Sequence, residues 1–163
     1  VQRFQELRGV YDLVVIDTSP GITEVHAGVY FACDYVLLPT MTEYSAMDGI
    51  RQTHGSLENA ARTGAKAGVP VAEQLGIVIN RWDSSARIQQ QNYGWLRGKY
   101  GDEVVRGTIR EMTVWQQCAQ QHRSIYEWQP GDDPYARRRA RVARREFESA
   151  VWAPVAQVMG VQA

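Results

Sequence analysis

A carboxylate that directly follows a predicted buried strand is the first residue in this sequence whose position indicates chemistry. Residues 13–16 form an unbroken apolar run rich in β-branched side chains, which predicts a strand buried on both faces of a parallel sheet. Asp17 ends this run, and Thr18, Pro20 and Gly21 follow in a segment typical of a turn. Open α/β sheets bind ligands at the carboxyl ends of their strands, so Asp17 is predicted to orient Mg²⁺, through water, beside phosphates. The alternative is an ordinary buried strand that ends in a helix-capping Asp.

A second polar pair, Asn80 and Arg81, follows another buried apolar run at residues 75–79. The side chain of an Asn at a strand tip can offer both a carbonyl and an amide to the edge of adenine. Arg81 would either stack on the base or remain solvated. The alternative for Asn80 is a residue that simply forms the turn after the strand.

A run of arginines towards the C-terminus is the third feature. Six arginines lie within nine positions, on a segment that Asp133 can cap and Pro134 can open as a helix. One face of this helix carries an apolar stripe at helical spacing, formed by Ala136, Ala140, Ala143, Phe147, Ala150 and Val151. The guanidinium groups beside the stripe predict non-specific binding to DNA phosphates, through Arg137, Arg138, Arg141, Arg144 and Arg145. The alternative is a solvated face with Glu146 and Glu148 as partners.

The elements that must position these residues alternate between strands and helices. The apolar runs predict strands at residues 13–16, 35–39, 75–80 and 104–109, and a brief extended piece at residues 125–128. Helical spacing predicts helices at residues 1–9, 22–32, 85–100 and 113–122, one from Thr42 or Ser45 to about residue 66, and a final one from Pro134. This alternation predicts a doubly wound, mostly parallel α/β sheet with helices on both faces.

Composition narrows the class of protein without naming a partner. The chain has 163 residues, 44% of them apolar, and a formal net charge of zero. No apolar run reaches the roughly 18 residues that a membrane span requires. The two cysteines and three histidines show no metal-binding or redox spacing, so a reduced, cytoplasmic compartment is expected.

A phosphate-binding loop is the element that the interpretation of Asp17 still lacks. Hydrolases in which such a carboxylate (the Walker B residue) serves Mg²⁺ also carry a glycine-rich loop of the form GxxxxGK[ST], whose backbone N–H groups cradle the phosphates. None of the fourteen glycines lies in that pattern. Either the interpretation is wrong, or the loop lies upstream of Val1, where the chain begins on what looks like the middle of a helix.

Four further motifs follow Asp17 in order. They are Asp-Tyr-Val-Leu-Leu-Pro at residues 34–39, Glu-Tyr-Ser-Ala-Met-Asp-Gly at 43–49, Gly-Ile-Val-Ile-Asn-Arg at 76–81 and Ser-Ile-Tyr-Glu-Trp-Gln-Pro at 124–130. Together with residues 11–21, this succession resembles the ParA/MinD family of deviant-Walker (SIMIBI) ATPases, and the ParA partition branch most closely. The resemblance spans about residues 11–150. The chain departs from the family in keeping one proline after Asp17 where two are common, and in having Arg110 after Ile109 where proline is common.

The resemblance implies a whole protein that acts in plasmid or chromosome segregation. Residues 1–163 would be the C-terminal portion of a single ParA-like ATPase domain with a P-loop NTPase-like fold, incomplete at the N-terminus and inactive alone, with its basic helix at about residues 134–159. The expected cofactors are ATP and Mg²⁺, and the expected site residues are Asp17, Thr18, Pro20, Gly21, Asn80 and Arg81, with Asp17 catalytic. The expected partners are a second copy in an ATP-dependent homodimer, non-specific DNA and a ParB-like centromere-binding protein. The expected location is the cytoplasm, on the nucleoid.

Two other functions remain open at this point. A MinD-like ATPase would bind a membrane surface through an amphipathic tail. Residues 151–163 offer large apolar side chains for this, but Pro154 and Gly160 interrupt them, and the arginines lie before the apolar part. The third possibility is a regulatory α/β module without catalysis.

Overall fold

The computed structural model describes residue 4 and residues 6–18, 24–101 and 105–162. The described strands are β1 (Tyr35–Thr40), β2 (Glu73–Trp82) and β3 (Val105–Arg110). The described helices are α1 (Glu24–Tyr30), α2 (Tyr44–Ala67), α3 (Arg87–Tyr100), α4 (Thr113–Gln120), α5 (Pro134–Phe147) and α6 (Ala153–Met159), with a π-helical turn (Glu148–Trp152) between α5 and α6.

The chain divides into two compact units, and the sheet confirms the predicted α/β class. Unit 1 comprises Val1–Val36 and Asp48–Gln74, and unit 2 comprises Leu37–Met47 and Leu75–Ala163. The strands form a parallel three-stranded sheet in the order β1–β2–β3.

The central strand β2 forms because its apolar residues are buried on both faces. Ile77 and Ile79 are fully buried, and their register partners in β3 are Val105 and Thr108. Burial of each such side chain contributes about 1.5–3 kcal/mol. The strand continues to Trp82, so the predicted end at Asn80 was two residues short.

The arginine-rich helix α5 has the predicted cap and the predicted buried face. The Asp133 carboxylate accepts a hydrogen bond from Tyr135 N at 2.8 Å, and Pro134 occupies the first turn. Its buried alanines pack in one cluster with residues of α4 and of the following loop: Val114, Cys118, Ile125, Trp128, Ala136, Ala140 and Ala143. Because alanine methyls fill this face, the backbone of α5 approaches the cluster closely and the long arginine stems lie elsewhere.

The brief extended piece predicted at residues 125–128 is wrong. Glu127 N and Trp128 N both donate to Ser124 O, at 3.2 and 2.9 Å, so the segment is a tight turn. The Glu127 carboxylate accepts from Ser124 N and Oγ, at 3.0 and 2.8 Å, and these bonds lower the pKa of Glu127. The turn brings Ile125 and Trp128, three positions apart, into the same core.

Unit 1 is organised around α1 and the larger part of α2. Tyr30 of α1 packs with Leu57 and Ala60 of α2. Tyr30 O accepts a hydrogen bond from Ala72 N at 2.8 Å, which ties the approach to β2 to the end of α1. The predicted helices α1 and α2 are therefore confirmed at their described residues.

The strand predicted at residues 13–16 does not form. Residues 12–18 belong to no strand, and Leu13, Val14 and Val15 are 45%, 45% and 81% exposed. Within the described residues no strand is hydrogen-bonded to this segment, and an apolar run needs a ladder partner to become a buried strand. The helix predicted at residues 1–9 falls in part outside the described residues.

Candidate functional site

The carboxyl end of β2 presents Asn80 and Arg81 together, both exposed, as the sequence predicts. Asn80 Oδ1 accepts a hydrogen bond from Arg81 N at 2.9 Å, which leaves the Asn80 amide group to donate to a ligand. Arg81 has φ 53°, in the left-handed region. Such a conformation costs a non-glycine residue about 1–3 kcal/mol and is concentrated at functional sites.

A carboxylate that follows β3 holds Arg81 in place. Glu111 Oε1 lies 3.0 Å from Arg81 Nη2, and Glu111 N donates to Trp82 O at 3.3 Å. Because β2 and β3 are parallel, their carboxyl ends meet at one edge of the sheet, where ligands of α/β proteins bind. Arg81 is therefore oriented by an ion pair while its side chain stays more than half exposed, and a pair this exposed contributes at most about 1 kcal/mol.

Aromatic side chains flank the Asn80–Arg81 segment at the end of β2. The rings of Trp82 and Tyr93 lie 5.3 Å apart, and the Arg97 guanidinium lies 5.7 Å from the Tyr93 ring centre. Asn92 Nδ2 donates to Thr42 O at 2.6 Å, which anchors α3 to the segment that precedes α2. These contacts position α3 and its aromatic rings beside the Asn80–Arg81 turn.

The other predicted nucleotide-site residues lie in unit 1 or outside the described residues. Asp17 and Thr18 are both exposed and belong to no strand, so Asp17 does not end a buried strand as predicted. Pro20 and Gly21 lie outside the described residues. The structure thus places Asn80 and Arg81 side by side in unit 2 and Asp17 and Thr18 in unit 1.

Two of the five predicted DNA-binding arginines bind their own chain. Arg144 is half-buried and donates to Ile125 O at 2.9 Å and to Trp128 O at 3.4 Å, so it fastens the 124–128 turn to α5. Arg137 pairs with Asp132 at 2.5 Å and donates to Gly131 O at 2.8 Å. Arg144 thus has a structural role inside the protein and Arg137 makes an exposed ion pair, and the role of both in phosphate binding stays a prediction.

The remaining three arginines form the arginine stripe, defined as Arg138, Arg141 and Arg145. They follow one another at i, i+3 and i+7, on the helix face opposite Ala140 and Ala143. All three are exposed, and within the described part of the chain they make no hydrogen bond or ion pair. The stripe is therefore a row of unneutralised charge.

Two carboxylates at the site were not predicted from the sequence. Glu146 is not a partner of the arginine run: it pairs with Arg110, Oε1 to Nε at 2.5 Å, and accepts from Arg110 N at 3.0 Å. Glu111 was missed as well, although it directly follows β3. An acid that directly follows a strand is the same signal that singled out Asp17, and it applied at Glu111 too.

Metal binding, thiol chemistry and a membrane span have little support in the described residues. No group of three His, Cys, Asp or Glu side chains in the described ranges could hold a metal ion. Burial raises the pKa of the Cys118 thiol, which favours an unreactive core residue. Across the same ranges, no helix is both long and apolar enough to span a bilayer.

Comparison with known proteins gives one family model and several curated relatives. A family model described as an AAA domain matches residues 1–67. The chromosome-partitioning ATPase Soj of Thermus thermophilus is 30% identical over 95 residues, which are 58% of this chain and 36% of Soj.

Two further relatives agree with these matches. The chromosome partitioning protein ParA of Myxococcus xanthus is 29% identical over 99 residues, 60% of this chain and 33% of that protein. The ParA of Caulobacter vibrioides is 26% identical over 101 residues, 62% of this chain and 36% of that protein. The chain thus matches about a third of the length of these curated relatives.

Proposed function

We propose that this chain, which is similar to chromosome-partitioning ATPases of the ParA/Soj type, forms the C-terminal part of a ParA-like partition ATPase. The whole protein would bind ATP and Mg²⁺, dimerise with ATP, bind DNA non-specifically and respond to a ParB-like partner. It would work in the cytoplasm, on the nucleoid. The observation that carries the proposal is the row of three arginines on α5 that make no ion pair within the described residues, in a chain similar to chromosome-partitioning ATPases.

The ATP site in this proposal uses the turn at the end of β2. The free Asn80 amide would donate to the ring nitrogen of adenine, and the Arg81–Glu111 pair would keep the turn in its strained conformation before the base arrives. Such preorganisation reduces the entropy lost on binding. Glu111 is thus a positioning residue that acts through Arg81.

Asp17 would serve the magnesium ion that accompanies ATP in the whole protein. Its exposed carboxylate is free to bind a water of the Mg²⁺ shell beside the phosphates, with Thr18, Pro20 and Gly21 following in the same segment. A P-loop hydrolase takes most of its transition-state stabilisation from the phosphate loop and the metal. The present chain, which has no GxxxxGK[ST] pattern, is therefore expected not to hydrolyse ATP by itself.

Replacing Asp17 by Asn in the full-length protein tests the catalytic part of the proposal. Loss of the carboxylate removes the charge that orients the metal, and we expect steady-state ATP turnover to fall by about 100-fold or more. Asp12→Asn is the matched control, since Asp12 is an exposed carboxylate of the same segment, and it should retain turnover within about twofold of the wild type. Equal activities of the two variants would show that Asp17 does not serve the metal.

The DNA interface in this proposal is the arginine stripe. Arginine suits phosphate because its planar fork donates two parallel hydrogen bonds. The run from Arg137 to Arg145 contains no Asn or Gln that could pair with a base edge. Binding should therefore ignore sequence and weaken steeply with salt, with a log–log slope of about −0.9 for each phosphate neutralised. An ATP-driven dimer would present two stripes to one duplex and bind it more tightly.

Charge reversal at Arg138, Arg141 and Arg145 tests this interface. In the full-length protein with ATP, fluorescence anisotropy on two unrelated duplexes should show the triple Glu variant binding both more than about tenfold more weakly, with a shallower salt slope. The matched control reverses Arg62, Lys66 and Arg87, which are exposed on α2 and α3, so its net charge changes by the same amount. Equal losses in both variants would contradict a role for α5.

A membrane-surface function of the MinD type has weaker support. Ala150, Pro154 and Ala156 are buried, so the inner face of the C-terminal tail packs within unit 2. An amphipathic helix that enters a bilayer needs that face for lipid. Co-sedimentation with anionic vesicles, without DNA binding, would favour this alternative.

A further inference from the structure

An aromatic groove lies at the end of α5, apart from the β2 turn that was assigned to the nucleotide. The groove has a volume of about 580 Å³ and is lined by Tyr126, Arg145, Phe147, Glu148, Ser149, Trp152 and Ala153. Cavities of about 300–1,000 Å³ hold small ligands or single anchoring side chains. The wall includes the π-helical turn Glu148–Trp152, and such turns recur at functional sites.

The shape of the groove favours an inserted side chain over a stacked base. The rings of Tyr126 and Phe147 meet edge to face, with centroids 6.4 Å apart and planes at 75°. Stacked nucleobases need an open ring face that lies parallel to them, whereas a corner between two perpendicular rings accommodates an aromatic or aliphatic side chain.

The groove is lined by one arginine and one glutamate, and it is the continuity of the arginine with the arginine stripe that favours an acidic occupant. Arg145 belongs to both the groove and the arginine stripe, is exposed, and makes no ion pair within the described residues. Glu148 lies beside Tyr126, where burial and then this carboxylate raise the pKa of the tyrosine hydroxyl. A carboxylate next to the inserted side chain would contact Arg145. The acidic peptide would then extend along α5 towards Arg141 and Arg138.

We propose that this groove is a docking site for an acidic peptide of a partner protein, which inserts one aromatic side chain between Tyr126, Phe147 and Trp152 and places an adjacent carboxylate on Arg145. Arginines and large aromatic residues are the side chains that carry most of the affinity at protein interfaces. The site shares Arg145 with the proposed DNA interface but uses none of the residues assigned to ATP, and it stands whether or not the partition function does.

Two labelled tripeptides test the proposal on the full-length protein. N-acetyl-Asp-Trp-Asp-amide and N-acetyl-Lys-Trp-Lys-amide share their aromatic ring and differ in charge, and single-stranded dT8 offers bases and phosphates without a peptide. We expect saturable fluorescence anisotropy with the acidic peptide, at least tenfold tighter than with the basic one. Labelled dT8, which the arginine stripe can attract through its phosphates, should bind to the same extent whether the aromatic part of the groove is open or filled.

Substitutions distinguish binding in the groove from general electrostatic attraction to the arginines. Arg145→Gln should weaken binding of the acidic peptide about tenfold, whereas Arg138→Gln, which removes the same charge about two helical turns away along the same face, should change binding less than about threefold. Ser149→Phe, which fills the groove from an exposed position, should abolish binding while urea denaturation shows an intact fold. Absence of saturable binding, equal losses at Arg145 and Arg138, undiminished peptide binding to the filled groove, or loss of dT8 binding when the groove is filled would each overturn the proposal.

Discussion

At the scale of single residues, chemically identical arginines on α5 have different roles. Arg144 donates two hydrogen bonds to main-chain carbonyls of the 124–128 turn, whereas Arg145, the next residue, is exposed and unpaired within the described residues. The difference arises because a loop packs over one side of the helix and leaves the other side to solvent. A guanidinium group is therefore structural or available according to what lies within its reach.

Truncation of these neighbours should separate the two roles. We expect Arg144→Ala to lower the free energy of unfolding by about 1–3 kcal/mol, because it leaves partly buried carbonyl groups without a donor. Arg145→Ala should change it by less than about 0.5 kcal/mol. Urea denaturation followed by tryptophan fluorescence measures both, and a larger loss in Arg145→Ala would contradict the hydrogen bonds described for Arg144.

At the scale of elements, the long helix α2 depends on one close approach. A Cβ atom added at Gly64 would lie 2.5 Å from Val71 Cγ2 and 2.6 Å from Val69 O, whereas one added at Gly55 would meet nothing within 4 Å. Val69 N also donates to Gly64 O at 2.9 Å, so the chain folds back tightly onto the end of the helix. Glycine at position 64 leaves room for the chain after α2 to pack against the helix, whereas glycine at position 55 has no such contact.

The two glycines should therefore respond in opposite directions to the same substitution. Gly55→Ala should stabilise the protein by about 0.5–1 kcal/mol through helix propensity. Gly64→Ala should destabilise it by about 1–3 kcal/mol or more, because a backbone carbonyl must move. Thermal and urea unfolding compare the pair, and stabilisation by both substitutions would show that the return after α2 is not close-packed.

At the scale of the whole molecule, burial is unevenly distributed among the apolar runs. Val78 in β2 is 2% exposed, whereas Val15 in a similar run is 81% exposed. Each run has three β-branched residues, yet among the described residues only the run in β2 has a strand on each side. Composition alone therefore does not identify which run forms the core.

A lysine at each of the two valines tests this difference. In this chain Val15→Lys should change the free energy of unfolding by less than about 0.5 kcal/mol, since an exposed ammonium remains hydrated. Val78→Lys should cost more than about 4 kcal/mol, because it buries an unpaired charge inside the sheet. The measurement is urea denaturation of the two variants, and a comparably large loss in Val15→Lys would show that residues 13–16 are buried after all.

The sequence by itself determined those features that depend on near neighbours along the chain. The cap of α5 at Asp133 and Pro134, its buried alanine stripe, the three strands of the sheet and the placement of Asn80 and Arg81 at a strand end were all predicted correctly. Capping and periodicity act over a few residues, so a single sequence contains their whole cause.

Only the tertiary structure decided the features that need a distant partner. The run at residues 13–16 has the composition of a strand but no ladder partner among the described residues. Glu111 reaches Arg81 across 30 positions, and Arg144 reaches Ile125 across 19. Hydrogen bonds of this kind depend on which elements pack together, because a side chain pairs with whatever group the fold brings within about 3 Å. The spacing of residues along the chain does not specify which elements pack together.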